Sequence, residues 1–130
     1  IFTDSLAFVV SPEHRLAGRS SVPMVELGDE TFIAHNVLSP YRDMVLREFQ
    51  RHHVPLRMDI EMPTIESIRK LVQSNLGVAF LPRMCVEQEL EQRTLCAVRV
   101  EELHVERKIY LVMPARRALS YAAGAFLDLL

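Results

Sequence analysis

Residues 63–82, PTIESIRKLVQSNLGVAFLP, constrain the fold more than any other stretch of the chain. Thr64 occupies an N-cap position, with Pro63 before it and Glu66 in the first turn, where a carboxylate suits the helix dipole. Ile65, Ile68, Val72 and Leu76 fall on one helical stripe, and Glu66, Arg69, Lys70 and Gln73 on the other. Asn75 and Gly77 both tolerate positive φ, so the helix can stop there and reverse. Val78-Ala79-Phe80-Leu81 is apolar throughout, as a strand covered on both faces must be, and Pro82 is expected to end it. A helix leading into a buried strand is a unit of an open α/β sheet. In such sheets ligands bind outside the carboxyl ends of strands and near helix N-termini. The unit supplies walls for a small-molecule crevice, but no reactive group.

The rest of the chain alternates in the same way. Residues 5–10 predict a strand, followed by the turn-rich SPEHRLAGRSSVP with short helical pieces. Residues 31–35 predict a second strand and 41–52 an amphipathic helix, with Met44, Val45, Leu46 and Phe49 as its apolar members. LRMDIEM, residues 56–62, alternates as a half-buried strand does. A short charged helix over 83–92 follows. Strands over 95–100 and 107–113 then flank an acidic turn at Glu101-Glu102, and a last helix runs from Leu119. This alternation predicts a largely parallel sheet with helices on both faces.

Several of these segments resemble the effector-binding domain of LysR-type transcriptional regulators. The helix followed by V-x-x-x-x-G-[VI]-x-x-L-P is one, and LAFVVSPEHRLAG (6–18) is a second, with Arg15 where the family usually has proline. VPMVELGDETFIAH (22–35) and the tail RKIYLVMPARRALSYAAGAFLDLL (107–130) complete the order. Asn75 stands where glycine is common; asparagine is the next best residue for a left-handed cap. The resemblance covers essentially all 130 residues. It implies a periplasmic-binding-protein-like (type II) α/β effector domain, present mostly as its second Rossmann-like lobe over about 11–107. Residues 1–10 and 108–130 are then crossover and first-lobe elements. The chain opens on Ile1-Phe2 straight into an apolar strand and closes on FLDLL without a C-cap, so a piece of a longer protein is expected. The resemblance implies that the missing part includes the helix-turn-helix domain through which such regulators contact DNA.

Composition excludes more than it assigns. Lys+Arg 15 against Asp+Glu 17 gives no basic field of the kind nucleic acid selects. No apolar run approaches the roughly 20 residues of a membrane span. Cys85 and Cys96 are too few for a disulfide scaffold and form no CxxC pair, which favours reduced thiols and a cytoplasmic protein. His52 and His53 are adjacent, so they point apart on a helix, and His104 lies in a charged strand; no metal is expected. There is no G-x-S-x-G elbow, and four glycines leave little room for a phosphate-cradling loop. No cofactor is expected either.

The candidate effector contacts cluster where the second strand and two helix starts converge. They are His35, Asn36, Ser39, Thr64, Ile65, Leu81 and Pro82. Backbone N–H groups at the two helix starts, with the hydroxyls of Ser39 and Thr64, suit a carboxylate or similar anion. The hydroxyls can equally serve only as caps. His35 can bond a ligand or be satisfied by local backbone, and Arg42 can grip a carboxylate or lie on the surface. From the resemblance follow a small-molecule effector, a homodimer or tetramer, and a pairing surface on the helix 41–53 and strand 56–62, with Arg47 and Arg51 as its testable members. Two other classes remain open: a solute-binding protein of the same architecture, and a small α/β enzyme.

Overall fold

The computed structural model describes residues 2–37, 39–103 and 106–109. The predicted helix from Leu119, strand residues 110–113 and His104 lie outside the described residues.

Strand β1, Phe2–Val10, organises the sheet. It pairs antiparallel with β5 (Ala79–Pro82) on one side and with β6 (Cys96–Val100) on the other. Its first residues pair antiparallel with β7, Glu106–Ile109. A short strand β2, Ser21–Val22, lies parallel to β6. Beyond β5, a parallel bridge between Phe32 and Val78 leads to β3 (Ile33–His35), which pairs parallel with β4 (Ile60–Met62). Every described strand therefore points one way except β1. The parallel part follows from the crossover helices, which force the next strand to run the same way. β1 inserts antiparallel between β5 and β6.

Side chains alternate along β1 and build two cores. Phe8 and Val10 join one, with Leu16, Phe32, Val45 and Phe49; Ala7 and Val9 join the other, with Ile68, Val72 and Leu81. Helix α1 (Pro40–Arg51) supplies Val45 and Phe49 to the first core. Helix α2 (Ile65–Gln73) supplies Ile68 and Val72 to the second, beside Leu90 of the short α3, Glu87–Gln92. Helices thus cover both faces, as the alternation predicted. The first core holds an aromatic cluster. Phe32 and Phe80 stack with centroids 5.4 Å apart, and Phe49 meets each edge-on at 6.0 Å.

Four local expectations need correction. Leu76 is not on the buried stripe of α2: the helix stops at Gln73, and Leu76 is 58% exposed. Asn75 explains this, because its φ of 59° turns the chain before Leu76 can continue the helix. Gly77 is needed for closeness and not for a left-handed turn. A Cβ there would lie 2.9 Å from the Thr31 carbonyl oxygen and from the Ile33 side chain. Pro82 does not stop β5 from outside; it is the strand's last residue, opposite Leu6. The strand predicted over 56–62 is regular only at Ile60–Met62, although the in–out alternation of Leu56, Arg57, Met58 and Asp59 is kept.

Candidate functional site

Parallel pairing of β3 and β4 brings two strand ends together, His35 opposite Met62. Each strand feeds a helix. Ser39 and Thr64 cap these helices with nearly the same extended backbone, φ −144° and −136°. Ser39 Oγ accepts the Arg42 N–H at 3.3 Å, and Thr64 Oγ1 accepts the Ser67 N–H at 3.0 Å. Thr64 also donates to Ser67 Oγ at 2.8 Å, so its hydroxyl is fully occupied in the cap. The Asn36 N–H donates to the Met62 carbonyl at 2.9 Å and closes the gap between the two strand ends.

Beneath the start of α1 lies an open cleft. His35, Ser39, Ile65, Leu81 and Pro82 line it, which gathers five of the seven candidate contacts from four separate elements or their flanks. Asn36 and Thr64 are not among the lining residues. Most of the wall is apolar and was not foreseen: Leu6, Phe32, Val45, Leu56, Met58 and Phe80. Tyr41 and Arg42 complete the end nearest α1. The amphipathic pattern marked these apolar residues as core, and no signal in the sequence reveals that the core stops short of closing.

The polar end is held by specific bonds. His35 Nε2–H donates to the Pro63 carbonyl at 2.9 Å, so the strand-end histidine is satisfied by backbone. Arg42 donates to the His35 carbonyl at 3.1 Å and to Glu61 Oε1 at 3.0 Å. It is neither a free surface arginine nor an unoccupied grip. Among the described residues, Arg42 is the only lining residue with a permanent positive charge.

Arg47 and Arg51 lie further along α1 and do not line the cleft. Arg51 donates to Glu48 Oε2 from two nitrogens, at 3.1 and 2.8 Å, and Arg47 is exposed. Among the described residues no group of three or more His, Cys, Asp or Glu is placed to hold a metal ion, and no helix is long and apolar enough to cross a membrane.

Away from the cleft, the SPEHRLAG turn is locked by a charge network. His14 Nδ1 accepts the Leu16 N–H at 3.0 Å, which places the ring proton on Nε2, where it donates to Glu30 Oε1 at 2.7 Å. Arg15 reaches the other oxygen of Glu30 at 2.7 Å and the Glu26 carbonyl at 3.2 Å. The arginine that departs from the usual proline is therefore a bridge between this turn and the segment after it. Beside it, the Arg19 hydrogen bond holds the Glu26 carboxyl below its ordinary range, and Glu26 holds the Arg19 guanidinium above its own.

Comparison with known proteins agrees across the whole chain. The family model described as LysR substrate binding domain matches residues 1–130. The chain is 33% identical over 121 residues to the RuBisCO operon transcriptional regulator of Allochromatium vinosum, covering 93% of this chain and 40% of that protein. It is 36% identical over 116 residues to the HTH-type transcriptional regulator CbbR of Cereibacter sphaeroides, covering 88% and 37%. It thus spans about two fifths of the length of these relatives. Among solved structures, the regulatory domain of CcmR from Synechocystis PCC6803, in complex with 2-PG, superposes with a TM-score of 0.78. Identity there is 28%, over 98% of this chain and 62% of that one. The effector binding domain of QuiR, in complex with shikimate, shares the fold with a TM-score of 0.72 at 21% identity, over 97% and 59%.

Proposed function

This chain belongs to the LysR substrate binding domain family, a non-enzymatic one, and we propose on that footing that it senses a small anionic metabolite for a transcription regulator. The carrying observation is the cleft itself. It lies where parallel strands β3 and β5 and the start of α1 converge, with Arg42 at its polar end and an apolar interior. The contacts assigned to the effector are His35, Ser39, Ile65, Leu81 and Pro82, with Arg42 added. Asn36 and Thr64 shape the rim through their backbone.

In this reading the described sheet is mostly the second lobe, residues about 11–107, and β1 and the residues from 108 onward cross to a first lobe. A helix-turn-helix domain elsewhere in the protein contacts DNA, in keeping with the near-neutral charge here, −2. The regulator works in the cytoplasm as a dimer or tetramer, and the outer part of α1 with Arg47 and Arg51 belongs to a pairing surface. Sensing is a population shift: a ligand between the lobes binds one interlobe arrangement better, and the difference in affinity biases the DNA-reading heads. Kinship to regulators named for RuBisCO genes supports carbon-fixation genes as targets.

The test uses the full-length protein. Thermal shift and DNA affinity are measured against a panel of small anions headed by 2-phosphoglycolate, the ligand of the CcmR domain. A concentration-dependent rise in Tm that also changes DNA affinity supports the proposal. A ligand that raises Tm without touching DNA affinity at any concentration would argue for a solute-binding protein.

A further inference from the structure

Among the described residues the cleft has one permanent cation, and that cation is already spoken for. Arg42 donates one nitrogen to the His35 carbonyl at 3.1 Å, which fixes the plane of the guanidinium across the end of β3. Its other nitrogen meets Glu61 Oε1 at 3.0 Å. The two partners differ in kind. The carbonyl is part of the strand end and cannot leave; the Glu61 side chain, on β4, is 51% exposed against 22% for Arg42, and Glu61 is not part of the cleft wall. Glu61 therefore holds a place on Arg42 from the solvent side. An ion pair this exposed contributes little, so another carboxylate arriving from the cleft can take its place at small cost while Glu61 returns to water. His35 stands at the same end, its Nε2–H held by the Pro63 carbonyl.

The remainder of the cleft sets what that carboxylate is attached to. Phe32 and Phe80 stack at 6° in its wall, with Leu6, Val45, Leu56 and Met58 around them. Such a wall gains from apolar surface on the ligand. We infer that Arg42 anchors the ligand's carboxylate, that this carboxylate displaces Glu61, and that the chamber selects acids carrying a compact apolar body. The inference rests on the sensing reading above and deepens it by naming the ligand class and the two residues that read it.

The experiment measures binding of benzoate, benzamide, acetate, inorganic phosphate and 2-phosphoglycolate to the full-length protein by calorimetry. Wild type is compared with Glu61→Gln and Arg42→Gln. Benzoate is expected to bind roughly tenfold or more tighter than acetate, from burial of its ring. Glu61→Gln is expected to tighten benzoate roughly two- to fivefold, the size of a lost exposed ion pair, and to leave benzamide unchanged. Arg42→Gln should erase the difference between benzoate and benzamide. Because Glu61 is a surface residue, its variant keeps the fold, and circular dichroism verifies this for both variants. Benzoate affinity unchanged in Glu61→Gln overturns the exchange. Acetate, phosphate or 2-phosphoglycolate binding as tightly as benzoate overturns the ligand class and leaves the sensing reading intact. Binding of none of the five overturns the inference and the sensing reading together.

Discussion

The starts of α1 and α2 are built alike and end up with different surroundings. Each follows the end of a parallel strand, each is capped by a hydroxyl in extended backbone, and each carries a carboxylate in its first turn, Asp43 or Glu66. Yet Ser39 opens onto the cleft, while Thr64 is exposed and its hydroxyl is closed into a bond with Ser67. The difference arises behind the caps. Beneath α1, aromatic rings and the half-buried Leu56 and Met58 leave space against the sheet. Beneath α2, Ile68 and Val72 join Ala79, Leu81 and Val9 in one core, and only Ile65 of the helix reaches the cleft. Capping chemistry thus marks where a helix begins, and packing one layer down decides whether that beginning is a site.

The largest effect that should separate the two helices comes from the ring under α1. Phe49→Ala removes a buried side chain that meets both Phe32 and Phe80. It should cost about 3–5 kcal/mol in chemical denaturation and abolish ligand binding even at temperatures where the protein stays folded. Retained affinity would mean that the cleft does not depend on the seat of α1. A smaller and sharper contrast comes from the caps. Ser39→Ala and Thr64→Ala should each lower stability by about 1 kcal/mol, but only the first should weaken binding. Equal losses of affinity would restore Thr64 to the site. The smallest effect lies far from both helices. Because Glu26 is held below its ordinary range by Arg19, its contribution is present above that range and is lost as pH falls through the lowered value. Arg19→Gln should return Glu26 to the ordinary range in an NMR titration and leave ligand affinity untouched.

Much of this was legible in the residues. An apolar run marked β1, period-two alternation marked the 56–62 segment, the 3.6-residue stripe marked α1 and α2, and hydroxyl–x–x patterns located both caps. These are local signals, each readable within one turn or one strand. What escaped reading depends on distance along the chain. The reversed direction of β1 is set by partners more than seventy residues away, Ala79–Pro82 and Cys96–Val100. The pairing of Arg42 with Glu61 joins positions nineteen apart in sequence, and only the parallel register of Ala34 with Glu61 makes it possible. The apolar wall escaped for another reason: Phe32 and Phe80 look the same in sequence whether the space between them and a helix is filled or empty. Leu76 escaped because one residue, Asn75, outweighed a helical period that was otherwise unbroken.

One consequence of the sheet concerns mechanics. Strand β1 changes partners along its length, bonding β7 from Phe2 to Ser5 and β5 from Leu6 onward. Whatever β7 carries is thereby tied to the body of the sheet along β1, as well as through residues 101–105, which join β7 to β6 in the chain. The exchange of partners falls between Ser5 and Leu6, and Leu6 is in the cleft wall. A molecule resting against Leu6 would therefore touch the strand beside the point where its pairing changes.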